Sequence, residues 1–92
     1  MNLDLGSTGI QLLTETRAYS MFARDNLIAL VERKADGYGS IGSTGILTGR
    51  GLAYLIWRDG QAFLAGKGFE LAATDQQVAA VRRFSQDLKA AL

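Results

Sequence analysis

Apolar and polar positions along the chain fall into two regimes. From Ile10 to Ala72 the apolar residues come in short runs cut by Gly, Asp, Asn, Ser and Thr. After Thr74 they recur at three- and four-residue intervals. The second regime reads as a helix. Val78, Val81, Phe84, Leu88 and Leu92 form one stripe, and Arg82, Arg83, Gln86 and Lys89 lie largely off it. Thr74-Asp75-Gln76-Gln77 is a capping-box pattern, with Thr74 as N-cap and Gln77 at the third helical position. Asp75 suits the positive end of the helix dipole. A helix over 75–91 is predicted.

The first regime is harder to read. Leu12 to Lys34 contains good helix formers and neither Pro nor Gly. Yet positions 19, 21–23 and 27–31 are all apolar, which leaves a helix no polar face, and β-branched and aromatic residues suit strands. Further on, Leu52–Trp57 and Ala62–Ala65 flank Arg58-Asp59-Gly60-Gln61, and Asp-Gly between apolar runs is a strong hairpin signal. A repeat links the two regions. The pentapeptide GSTGI occurs at Gly6–Ile10 and at Gly42–Ile46. With a two-residue gap, Leu13-Thr14 aligns with Leu47-Thr48, and Arg24-Asp25-Asn26 aligns with Arg58-Asp59-Gly60. Residues 18–33 therefore read as a hairpin turning at Asp25-Asn26, with Asn26 suited to a positive-φ position. Met1–Leu5 alternates as a short strand or a loose terminus does, and Phe69–Ala72 reads as a last short strand or an extended lead-in.

The expected fold class is α+β. An antiparallel β-meander of four to six strands, built on two similar hairpin units over 6–72, precedes one C-terminal amphipathic helix. The whole, 1–92, reads as a single domain. Neither strand face is polar: Leu52, Tyr54 and Ile56 point one way, and Ala53, Leu55 and Trp57 the other. One helix covers one face. The second must close as a barrel or pack against another subunit. Leaving its side chains in water forgoes about 1.5–3 kcal/mol of burial each. The expected partner is a second copy, a homodimer being favoured, with Tyr54, Leu55, Trp57 and Phe63 as candidate interface residues.

Composition narrows the chemistry. The chain has no histidine, cysteine or proline, and its net charge is +1. The commonest general base and metal ligand is absent, and no thiolate site exists. Gly37-Tyr38-Gly39-Ser40-Ile41-Gly42 matches GxGxxG, but no helix follows it, as a dinucleotide site requires. This glycine-rich stretch, Ala35–Gly51, reads instead as a bend joining the two hairpins, with Ile46 to Thr48 in its second half running into a strand. Ser40, Ser43 and Thr44 have no base to activate them, and Asp25, Asp36 and Asp59 read as turn residues. No catalytic site, cofactor or metal is expected.

Two readings of function remain. The first is a non-catalytic binding or assembly module. The second is a single-stranded nucleic-acid binder, in which Arg50, Arg58 and Lys67 track phosphates while Tyr38 and its neighbours stack on bases. The small net charge makes a nucleic-acid partner the less favoured. The longest apolar runs are too short to span a bilayer, and MNLDLGSTG lacks the features of a signal peptide, so a cytoplasmic location and no membrane partner are expected.

Overall fold

The computed structural model describes residues 8–92. The expectation for Met1–Leu5 lies outside them. Seven strands form one antiparallel sheet in sequence order: β1 (Gln11–Glu15), β2 (Tyr19–Arg24), β3 (Leu27–Lys34), β4 (Gly37–Thr48), β5 (Gly51–Arg58), β6 (Gln61–Gly66) and β7 (Phe69–Ala72). The helix α1 (Asp75–Ala91) follows. This is the meander and helix that the hydrophobic pattern predicts. The sheet is open, since β1 and β7 are its two edges and do not pair with each other.

Residues 12–34, open to a helical reading, are β1, β2 and β3. β2 and β3 pair from Tyr19↔Glu32 to Arg24↔Leu27 around a two-residue turn, and β5 and β6 pair likewise from Ala53↔Gly66 to Arg58↔Gln61. The two aspartates at these turns share one conformation, with φ of 56° at Asp25 and 52° at Asp59. In the first hairpin Asp25, not Asn26, takes the positive φ. Gly60 also has positive φ, 76°, as the Asp-Gly turn requires. The last residues of the two GSTGI copies, Ile10 and Ile46, are both buried in the core. The strands leading into the two hairpins differ. β1 joins β2 through three residues, 16–18, with Glu15 paired to Ser20 next to them, whereas Thr48 and Gly51 pair across a two-residue turn.

The glycine-rich stretch departs from expectation. It is no bend: residues 37–48 form β4, the longest strand, paired with β3 along most of its length. Its register with β3 shifts twice, between Ala29 and Val31 and between Val31 and Arg33. Such irregularities twist and bend a strand while leaving it in the sheet, and small residues tolerate them. One glycine has a definite steric role. A Cβ at Gly45 would overlap the carbonyl oxygen of Ala53 on β5. The two strands approach so closely there that only a hydrogen fits.

Register divides the side chains between two faces, because directly paired residues project the same way. One face carries Phe22, Ala29, Val31, Ile46, Ala53 and Leu64, and Val81, Phe84 and Leu88 of α1 pack into it. Phe22 on β2 and Leu64 on β6 both belong to this cluster, so the sheet curves around the helix. The helix starts as its sequence predicts. Gln77 N–H donates to Thr74 Oγ1 at 3.1 Å, and Thr74 N–H donates to Gln77 Oε1 at 2.9 Å. Arg24 fastens it to β2, donating to Asp87 Oδ2 at 2.8 Å and lying over the Phe84 ring at 5.5 Å.

Two substitutions test this packing. Gly45→Ala forces β4 and β5 apart and lowers unfolding free energy by about 1–3 kcal/mol, the usual cost of overpacking. Gly49→Ala, at a turn position with open space for a Cβ, leaves it within about 0.5 kcal/mol of the parent. Urea unfolding of both variants checks the contrast.

Candidate functional site

Among the described residues no helix lies on the opposite face of the sheet. Ala23, Ile28, Gly45, Tyr54 and Ala65 lie along one line of paired residues across five strands. Met21↔Leu30, Leu47↔Leu52 and Ile56↔Phe63 flank this line. The centre of this outer face is thus apolar from β2 to β6. Ala23, Ile28 and Gly45 on that line are buried, Met21, Leu30, Leu52, Tyr54, Ile56, Phe63 and Ala65 are half-buried, and Leu47 is 52% exposed. Tyr54 lies against Gly45, its ring filling the space over the glycine. Polar groups sit at the ends of the strands. Glu32 and Lys34 are at the end of β3, and Arg58 forms a 2.9 Å ion pair with Glu70 across β6.

The four candidate interface residues do not form one patch. Tyr54 and Phe63 are on the outer face. Leu55 pairs with Leu64 and Trp57 with Ala62, which puts both on the helix side. There Leu55 packs against the core. Trp57 lies at its margin, 53% exposed, with the Arg82 guanidinium 5.3 Å from its ring centre. Hydrophobicity groups the four, but odd and even positions of β5 face opposite ways. Alternation along β4 and β5 places Leu47, Leu52 and Ile56, which hydrophobicity alone does not single out, beside Tyr54.

The residues proposed for nucleic acid are dispersed. Arg50 and Lys67 occupy the β4–β5 and β6–β7 turns at one end of the sheet, and Arg50 lies over the Phe69 ring at 5.3 Å. Arg58 is at the far end of β5, engaged by Glu70 and stacked on Phe63. Tyr38 is on the helix side, edge-on to Phe22 at 5.7 Å. The four residues share no single groove.

The sheet also splits. β4 and β5 pair only from Gly45↔Tyr54 to Thr48↔Gly51. Beyond Gly45 the first half of β4 stays with β3, and the second half of β5 stays with β6. The bulges in the β3–β4 ladder turn β4 away at this point. Two strand edges are left facing a gap, Ile41–Thr44 on one side and Leu55–Arg58 on the other. Beside the β4 edge lies a cleft of about 580 Å³, closed on its other side by Ser85, Gln86, Lys89 and Leu92 of α1.

Among the described residues no helix is long and apolar enough to cross a membrane, and no group of acidic residues is arranged to hold a metal ion. Comparison with protein-family models, curated proteins and solved structures finds no match to this chain.

The split has a measurable signature. In hydrogen exchange, the amides of Ile41–Thr44 and Leu55–Arg58 that face the gap exchange faster than those in the Gly45–Thr48 and Gly51–Tyr54 ladder. Uniform protection along β5 would show a closed sheet in solution.

Proposed function

We propose that this protein is a non-catalytic assembly module that associates with a second copy of itself through the outer face of the sheet. The single observation behind this reading is the apolar centre of that face, running from Met21 and Ile28 to Tyr54 and Phe63 with no helix or strand among the described residues over it. The part of it that meets water is the half-buried Leu52, Tyr54, Ile56 and Phe63 with the exposed Leu47, and contiguous apolar patches of this kind mark interaction sites.

Size and charge favour a second copy as the occupant. Seven strands spaced about 4.8 Å apart, each roughly six residues long at about 3.3 Å per residue, span about 600 Å² in projection. With its side-chain relief, that approaches the roughly 800 Å² each partner contributes to a stable interface. A two-fold contact requires a patch complementary to itself. An apolar centre meets an apolar centre, and a rim carrying both Glu32 and Lys34, with Arg58 neutralised by Glu70, sets no single sign of charge against itself. A net charge of +1 adds little repulsion between copies. Tyr54 and Phe63 lie at the middle of such an interface, and aromatic residues are enriched in interface centres.

Sedimentation at micromolar concentration tests this. The expected species has twice the 9.9 kDa chain mass. Leu47→Glu, at a position already exposed in one copy, leaves the fold intact by circular dichroism and shifts the population to monomer. A parent protein that sediments as a monomer throughout overturns the proposal.

A further inference from the structure

The cleft beside β4 has a form distinct from the outer face. Tyr38, Gly39, Ser40, Ile41 and Gly42 all line it, five consecutive residues of one strand. Side chains of a strand alternate between faces, so a surface touching every residue in turn runs along the strand's edge. That edge is the one β5 abandons at Tyr54. The opposite wall is the last two turns of α1, which present Ser85, Gln86 and Lys89. An unpaired strand edge on one side and a helix on the other is a place where an extended segment can lie. Its backbone continues the ladder with β4, and its side chains alternate towards the helix and away. A volume of about 580 Å³ is within the range of ordinary ligand sites.

Charge selects the segment. Among the described residues Lys89 is the only charged side chain lining the cleft, and it takes part in none of their ion pairs. Glu32 and Lys34 flank Gly39 on the other side of the strand and offset each other. The remaining polar lining, Ser40, Thr44, Ser85 and Gln86, offers hydroxyl and amide groups of either hydrogen-bonding sense. We propose that the cleft binds an extended acidic peptide segment, added as a strand to the free edge of β4 with a carboxylate directed to Lys89. This does not depend on self-association, which uses the outer face.

The test is an NMR titration of the labelled protein with an acetylated, amidated hexapeptide alternating valine and glutamate. The expected result is saturable shifts at the amides of residues 39–44 and 85–89. A peptide with lysine in place of glutamate binds more weakly. Lys89→Gln weakens binding of the acidic peptide by up to about fivefold, the scale of one partly exposed ion pair, and Lys89→Glu reverses the preference between the two peptides. Ser85→Trp fills the cleft and abolishes binding with the thermal midpoint preserved; if that variant does not fold, the charge reversal at exposed Lys89 decides. The proposal is overturned by no saturable shift at millimolar peptide, by shifts confined to the outer face, or by equal binding of the two peptides to the parent.

Discussion

One helix has to serve a sheet with two apolar faces, and most of the structure follows from that inequality. Val81, Phe84 and Leu88 form a single seam, and a single seam covers a single face. The sheet responds by curving, so that Phe22 and Leu64, four strands apart, reach the same helix. The contact is fastened at its edge by Arg24 and Asp87, a partly exposed pair whose value lies more in orientation than in energy. The curvature leaves the outer face broad and unpartnered. A second helix would cover that face; none exists among the described residues.

The division of labour between the two faces depends on one position. At Gly45 the β4 backbone comes against the Ala53 carbonyl, and the Tyr54 ring lies over the glycine. This is the last point at which the two halves of the sheet are laced together. On one side of it the ladder is regular, and on the other the strands diverge and the cleft opens. The same glycine therefore sits in the outer face and beside the end of the split, which sets the two proposed contacts on different sides of one crossing.

Much of the fold was legible in the residues. The capping box at Thr74 and Gln77, the helical stripe behind it and the Asp-Gly turn at 59–60 are local signals, read over a few residues, and each forms as read. The repeat carried the second hairpin signal back to residues 18–33, where local pattern alone was ambiguous. The glycine-rich stretch was not legible. Glycine weakens a strand on its own, and nothing within 37–48 shows that β3 and β5 will supply the missing stability from both sides. The candidate interface was half legible, since hydrophobicity marks Tyr54, Leu55, Trp57 and Phe63, but only the direction of the helix seam decides which of them it hides. The cleft had no signal at all, because it is made by the absence of pairing between two strands that are each correctly formed.

The order of elements has a consequence for how the molecule is made. Every strand pairs with its neighbour in sequence, and five of the six connections between strands are two-residue turns. Contacts this local form quickly, and hairpins can accumulate one after another as the chain is synthesised. The helix that covers the core comes after all of them. Until it emerges, Phe22, Val31 and Leu64 are as bare as the outer face, and the growing sheet lacks its cover. That interval is when the nascent chain is most exposed to wrong company.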